Sequence, residues 1–277
     1  MKIITLFSKA HNRNANPCVF HRDSFIINTT GNERKIFMRW FLGYAAAFCL
    51  LVFIICQSVI IPTFFMPFFS WQYDRGRNYP PFNGRSAIET IGIDRDELMD
   101  VTVELLDYMR GRRDSLDGIR ATVQGVEREF FSDLEKRHMI DVRVLYDRLF
   151  AVRNISFFAF IALVIAMVLL RYRPMFALCK CGRDVFAGFI VIVLVLTGII
   201  ALDFERAWHY FHFVFFDNDY WLLTHRVDLL IDMVSLSFFL HISIFVGGLV
   251  ALSSAAVIGG GSAYVYKVKR KPGFIKP

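Results

Sequence analysis

Four long apolar runs constrain the fold of this chain more than any other feature of its sequence. They occupy residues 41–65, 155–170, 186–202 and 236–258. About 20 apolar residues in a helix cross the hydrocarbon core of a bilayer, and a single-chain segment of this kind satisfies its backbone there only as a helix. The sequence therefore predicts an all-α polytopic membrane protein with four transmembrane helices.

Composition supports a membrane protein over a nucleic-acid-binding one. Hydrophobic residues make up 55% of the 277 residues and charged residues only 21%, whereas about 25% charged is usual for soluble domains. The net charge is +7, but the basic residues cluster beside the apolar runs instead of forming one stripe interleaved with aromatic residues. We therefore expect no nucleic-acid partner.

The basic residues that flank the apolar runs predict the orientation. Lysine and arginine near a span resist translocation, so they mark its cytoplasmic end. They fall in three groups: Arg34, Lys35 and Arg39; Arg171, Arg173, Lys180 and Arg183; and Lys267, Lys269, Arg270 and Lys271. The segments 1–40, 171–185 and 259–277 are accordingly predicted to be cytoplasmic, and the segments 66–154 and 203–235 extracytoplasmic.

The span interiors argue against a channel or a pump. They hold no charged residues of the kind that line ion and proton pathways. The fourth span carries small residues whose spacing favours close helix packing, namely Gly247, Gly248, Ala251, Ser254 and Ala255. We interpret this span as part of a packed helix bundle.

The segment 66–154 carries signals for two helices. Asp94 and Glu97 have the spacing of a capping box, and the helix that follows is predicted to end at Gly111. Its apolar face consists of Leu98, Val101, Leu105, Tyr108 and Met109. Residues 119–131 mix apolar and polar positions in a way that suggests a short hairpin.

The second predicted helix of this segment carries a histidine on its apolar face. Ser132 and Glu135 form a capping box at its start. Its inward face is Leu134, His138, Val142, Leu145 and Leu149. Asp141 follows His138 by three positions, where a carboxylate can fix the tautomer of the ring. A lone histidine on such a face is more often structural, so this helix alone does not establish a catalytic role.

The segment 203–235 is rich in aromatic residues and contains two further histidines. Aromatic residues favour the membrane interface, which predicts a re-entrant or surface-lying helix. His209 and His212 have a spacing that also suits a metal, together with His138 or Asp217. The sequence lacks an HExxH motif and a paired-cysteine motif, so a metal is not favoured.

Two stretches together resemble a known family of membrane enzymes. The first is Glu135-Lys136-Arg137-His138-Met139-Ile140-Asp141-Val142, followed by Leu145-Tyr146, and the second is Phe211-His212-Phe213-Val214-Phe215-Phe216 with Asn218 and Trp221. They resemble the signatures of the bacterial lipoprotein intramolecular transacylases, called Lit. The resemblance extends from the first to the fourth span and includes Asp228-Leu229-Leu230-Ile231. His225 and Ser235 depart from it, since the family usually has proline near both positions.

The resemblance implies an acyltransferase that acts on diacylated lipoproteins in the outer leaflet of the bacterial cytoplasmic membrane, among membrane phospholipids. The sn-2 acyl chain would move from the glyceryl group of the N-terminal cysteine to the α-amine of that cysteine, giving the lyso form. His138 and His212 are the implied catalytic residues, and we favour His138 as the proton carrier. Asp141, Asn218, Trp221 and Asp228 are the expected supporting residues. The chemistry needs no cofactor and no metal.

Two other functions remain open on the sequence. One is a metal-dependent membrane hydrolase that uses His138, His209 and His212. The other is a non-catalytic membrane module that binds a lipid or a lipoprotein.

Overall fold

A computed structural model describes residues 22–75 and 84–270, with side chains from Glu33 onward. The chain divides into two units, Met1–Met38 and Arg39–Pro277, and the account below concerns the second. The outermost parts of the predicted cytoplasmic ends, residues 1–21 and 271–277, lie outside the described residues.

The described part of the chain is mostly helical and contains one short hairpin. The elements in chain order are α1 (Arg22–Thr63), α2 (Met66–Tyr73), α3 (Ala87–Ile91), α4 (Arg95–Met109), β1 (Arg120–Val123), β2 (Val126–Glu129), α5 (Asp133–Leu169), α6 (Pro174–Leu202), α7 (Phe204–Phe215), α8 (Leu229–Met233) and α9 (Leu236–Lys269).

Four of these helices, α1, α5, α6 and α9, are long and apolar enough to cross a membrane. This confirms the four predicted spans. The helices extend beyond the apolar runs, and α5 shows this most clearly with 37 residues. At a rise of about 1.5 Å per residue, a helix of this length exceeds the roughly 30 Å of hydrocarbon. The predicted span 155–170 is therefore the C-terminal part of a longer helix whose N-terminal turns belong to the site.

A compact subdomain between α1 and α5 contains α2, α3, α4 and the hairpin, with α8 packed against it. Its most deeply buried side chains include Tyr73, Leu98, Phe130 and Met233. The hydroxyl groups of Tyr73 and Thr102 are hydrogen-bonded at 2.8 Å inside this core. The subdomain thus has its own apolar core on which the first turns of α5 rest.

The predicted hairpin is present, with β1 and β2 antiparallel. Its two central turn residues, Gln124 and Gly125, both have positive φ, as a type I′ turn requires.

The predicted cap of α4 is formed only in part. Asp94 accepts hydrogen bonds from the backbone of Asp96 and Glu97, but the carboxylate of Glu97 accepts from the backbone N–H of Thr122 at 2.6 Å. Glu97 therefore ties α4 to the hairpin.

Helices α6 and α9 form the most extensive helix pair. Their close approach lies at Gly261, where an added Cβ would meet the carbonyl oxygen of Cys179 at 2.5 Å. Of the small residues singled out in the fourth span, Ser254 is fully buried. A Cβ added at Gly247 or Gly248 would meet nothing within 4 Å, so those two glycines are not the points of closest helix packing.

Candidate active site

A cavity of about 650 Å³ lies where the predicted histidine segments meet the long helices. Ile55 of α1, Val193 of α6 and Val250 of α9 lie in its wall, together with His138 of α5 and His212 of α7. Most of its lining is apolar, and a small number of polar groups converge on it. Such a combination is typical of a site that binds a largely apolar ligand and fixes its orientation.

His138 and His212 face each other in this cavity. Their ring centroids are 6.1 Å apart, and both side chains are buried, with 9% and 5% of their surface exposed. The structure therefore brings together the two histidines on which the resemblance rests. His212 lies near the C-terminal end of α7, and His138 lies in the second turn of α5.

The tautomer of neutral His212 is set by its own helix. Its Nδ1 lies 2.8 Å from the backbone carbonyl oxygen of Trp208. A carbonyl oxygen only accepts, so Nδ1 carries the proton and donates it. Nε2 is then the unprotonated nitrogen of the neutral ring. Burial lowers the pKa of His212 from its ordinary value of 6.5, the hydrogen bond to Trp208 opposes this, and the charge of His209 adds to the lowering.

His138 is oriented by packing. Its ring contacts Phe216 in an edge-to-face arrangement with centroids 5.4 Å apart. Its Nδ1 is buried and has no hydrogen-bond partner among the residues that the structure describes.

The buried face of α5 differs from the predicted one. Glu135 and Met139 are buried beside His138, while Leu134 and Leu145 are only half-buried.

Asp141 and Asn218 bond to each other. The side-chain amide of Asn218 donates to Asp141 at 2.9 Å, and its carbonyl oxygen accepts from the backbone N–H of Tyr220 at 3.0 Å. Neither residue hydrogen-bonds to His138 or His212, so the predicted role of Asp141 in fixing the tautomer of His138 is not what the geometry provides. The pair instead fastens the loop after α7 to α5, across 77 residues of sequence.

Trp221 forms the other side of the histidine site. Its ring stacks on that of His212, with centroids 4.6 Å apart and planes inclined by 26°. His209 contacts the edge of the same indole at 5.4 Å. Trp221 is buried, lines the cavity, and its Nε1 has no hydrogen-bond partner in the described part of the chain.

Asp228 fastens the start of α5 to the loop before α8. It accepts a hydrogen bond from the hydroxyl of Ser132 at 3.1 Å and one from the backbone N–H of Thr224 at 2.8 Å. It is buried. Through these two bonds Asp228 connects Ser132, which caps α5, to the backbone of Thr224.

Glu135 supports the site through a long-range contact that the sequence did not indicate. The predicted capping box with Ser132 is present, but the other oxygen of Glu135 accepts from the backbone N–H of Leu230, 95 residues away, at 2.5 Å. Only 1% of its side chain is exposed. Because a buried carboxylate needs such partners, Glu135 joins α5, one turn before His138, to the start of α8.

His209, His225 and His241 do not form a metal site with His138 and His212. Within residues 22–75 and 84–270, no group of three or more His, Cys, Asp or Glu side chains is arranged to hold a metal ion. His209 is exposed. His225 bonds to the buried carboxylate of Asp232 at 2.8 Å, which also accepts from the backbone N–H of Arg226. These two bonds hold the loop between residues 225 and 232 at one of the positions where the sequence departs from the predicted resemblance.

A sequence model of the family described as "Lipoprotein intramolecular transacylase Lit" matches residues 44–239, which is more than half of the chain. The chain belongs to the Lit family. The predicted resemblance is therefore confirmed. A comparison with curated protein sequences finds no match.

Solved structures of the membrane integral Lit from Bacillus cereus share the fold. One has a TM-score of 0.65 at 17% identity and covers 84% of this chain and 98% of that chain. Two variants of the same Lit protein, with one histidine replaced by arginine or by alanine, have TM-scores of 0.63 at 16% identity. They cover 88% and 87% of this chain, and 98% and 99% of their own. This likeness agrees with a multi-pass membrane protein of the Lit fold.

In this member of the Lit family, the groups that line the cavity can accept and donate the protons of a reaction. Neutral His212 presents an unprotonated Nε2, and an imidazole of this kind takes up and returns a proton near neutral pH. His138 and Trp221, both against His212, each have a buried nitrogen that bonds to no residue in the described part of the chain. A ligand with a polar centre between apolar chains matches these features.

Proposed function

We propose that the protein is a lipoprotein intramolecular transacylase that moves the sn-2 acyl chain of a diacylglyceryl-cysteine lipoprotein to the α-amine of the same cysteine. The observation that supports this most is the pairing of His138 and His212, 6.1 Å apart, in an apolar cavity. An ester that carries two long chains suits such a cavity, and the transfer of an acyl group between two atoms of one molecule chiefly requires orientation and proton transfer.

The reaction proceeds by addition and elimination at the ester carbonyl. The neutral α-amine forms a bond to the carbonyl carbon, and the carbonyl oxygen becomes an oxyanion. Nε2 of His212 accepts the proton that the amine loses. The tetrahedral intermediate then breaks its bond to the glycerol oxygen, and the same proton passes from His212 to that oxygen. The protein ends unchanged, and the product retains both chains, one as an amide and one as an ester.

The hydrogen bond to Trp208 favours His212 over His138 as the proton carrier, in contrast to our preference from the sequence. The neutral tautomer of His212 leaves Nε2 unprotonated, whereas no described residue bonds to Nδ1 of His138 and selects its tautomer. His138 is then the group that donates a hydrogen bond to the reacting carbonyl. Both histidines are positioned indirectly by Asp141, Asn218 and Asp228, because these residues hold the loops after α7 and before α8 against α5.

The site faces the outer leaflet, and both chain ends lie in the cytoplasm. This orientation rests on the three basic groups beside the spans. The cavity wall includes Ile55, Val193 and Val250, which belong to the predicted spans, so acyl chains can enter from the hydrocarbon. Membrane phospholipid surrounds the opening, and diacylated lipoproteins with a free amine are the substrates.

The test is expression of the protein in bacteria whose lipoproteins are diacylated and have free amines. Transfer leaves the total mass of the N-terminal lipopeptide unchanged, so fragmentation in the mass spectrometer must locate the chain. We expect fragments with an N-acylated cysteine and a single ester-linked chain, and none from cells with the His212→Ala variant. Lipopeptides that keep both chains on glycerol, in cells where the protein is present in the membrane, would refute the proposal.

A further inference from the structure

Trp221 carries a hydrogen-bond donor that the fold does not use. The indole Nε1–H only donates, and in Trp221 it is buried without an acceptor among the described residues. Only 8% of the side chain is exposed. Buried polar groups in proteins nearly always have partners, and an exception within a site indicates a function or a missing ligand.

The unused donor lies next to the group that handles the proton. The indole of Trp221 stacks on His212 at 4.6 Å and lines the same cavity as His138. When an amine attacks the ester carbonyl and passes its proton to His212, the negative charge appears on the carbonyl oxygen a few bonds from that proton. The oxyanion therefore forms within the neighbourhood of Trp221.

We propose that the Nε1–H of Trp221 donates a hydrogen bond to the reacting carbonyl oxygen as it becomes an oxyanion. This inference rests on the proposed function and adds Trp221 to His138 as a second donor. Donors held in place for the developing charge accelerate acyl transfer strongly in a site from which water is excluded. The stacking on His212 keeps the indole fixed, so the donor needs no reorganisation during the reaction.

The decisive variant is Trp221→Phe, which keeps an aromatic ring against His212 and removes the N–H. We expect kcat to fall by a factor on the order of 10² to 10³, as is found when one oxyanion donor is removed, with KM nearly unchanged. Trp71→Phe is the matched control, because Trp71 is half-exposed and lies outside the cavity wall. A kcat of Trp221→Phe within twofold of the unmodified protein would overturn the inference.

The pKa of His212 in the Trp221→Phe protein separates a donor from a merely positioning residue. NMR titration of ring-labelled histidine should show this pKa unchanged within half a unit if only the donor is lost. A larger change together with the loss of kcat would assign the effect to a displaced His212 and would contradict donation by Trp221.

A measurement on the unmodified sequence keeps the inference testable if the variant fails to fold. The chain has four tryptophans, so a 15N-tryptophan sample gives four indole signals. A diacylglyceryl-cysteine peptide with an acetylated amine keeps the ester but cannot react. Its binding should move the Nε1–H proton signal of Trp221 downfield and leave that of Trp71 in place. An unmoved Trp221 signal at saturation would refute the proposed hydrogen bond.

The two proposals fail in different ways. If the unmodified protein makes no N-acylated product, the proposed function is wrong whatever Trp221 does. If the unmodified protein makes the product, His212→Ala does not, and Trp221→Phe makes it at the full rate, only the role of Trp221 is wrong.

Discussion

The Nδ1 of His212 lies 2.8 Å from the backbone carbonyl oxygen of Trp208, one turn earlier in α7. This contact fixes which nitrogen of neutral His212 is basic, and it does so through the helix itself. A histidine held in this way needs no carboxylate partner. Our proposal that His212 carries the proton and His138 donates a hydrogen bond depends on this relationship.

Replacement of either central histidine should abolish most of the activity while the protein still inserts into the membrane. A general acid–base residue typically contributes a factor of about 10² to 10⁴, and we expect a loss of that order for His212→Ala. Removal of an oxyanion donor costs about 10² to 10³, and we expect a loss of that order for His138→Ala. The measurement is the rate of N-acyl product formation at matched amounts of membrane protein. His209→Ala should cost less, because that side chain is exposed. Equal losses at all three positions would contradict the assignment.

The pKa of His212 should lie below the ordinary histidine value of 6.5. Burial disfavours the charged ring, and its effect exceeds that of the hydrogen bond to Trp208. A lowered pKa means that the neutral, basic form still predominates at pH 6.5 and is lost only as the pH falls further. NMR titration of ring-labelled histidine in detergent, with His212→Asn to identify the signal, measures it. A pKa at or above 6.5 would show that burial is not the dominant influence.

Glu135→Gln should destabilise the protein. The carboxylate accepts from the backbone N–H groups of Ser132 and Leu230, and an amide can satisfy only one of them while turning its NH2 group towards the other. An unpaired buried group costs about 1–3 kcal/mol, which should lower the midpoint of thermal unfolding in detergent by several degrees.

The matched control for Glu135 is Glu127→Gln on the hairpin. Glu127 pairs with Arg120 at the surface, where such pairs contribute at most about 1 kcal/mol. A midpoint for Glu135→Gln equal to that of the control would mean that the bond to Leu230 does not hold the loop to α5.

Gly261→Ala should separate α6 from α9. The new Cβ would lie 2.5 Å from the carbonyl oxygen of Cys179, a distance at which the backbone must shift. Overpacking of this kind costs about 1–3 kcal/mol. Thermal unfolding in detergent measures the effect.

Gly259 and Gly260 offer the control, since an added Cβ meets nothing within 4 Å at either position. Alanine there should be neutral or slightly stabilising, because glycine weakens a helix interior. An equal loss of stability at positions 259, 260 and 261 would mean that replacing any glycine in this part of α9 destabilises the protein, and that the contact with Cys179 is not the cause.

Local signals in the sequence determined the number of spans, the capped start of α5 and the place of the hairpin. Each depends on residues close together in the chain: a run of apolar residues, a Ser132–Glu135 pair, or the mixture of apolar and polar positions in residues 119–131. Such features follow from helix periodicity, backbone hydrogen bonding and transfer into the bilayer, which act over a few turns at most. The outcome at these positions was therefore predictable.

Tertiary structure alone decided how the site is arranged. The sequence indicated His138 and His212 through a resemblance, but their distance depends on how α7 packs against α5. Asp141 bonds to Asn218, and Glu135 bonds to Leu230 in addition to its local partner Ser132, because the packed chain brings these remote partners within reach. A buried polar group bonds to whatever acceptor or donor the packed chain brings to it. The sequence by itself determined the helices, and with α7 the contact from Trp208 to His212. Only the packing of the helices decided the distance between His138 and His212 and left the indole donor of Trp221 without a partner among the described residues.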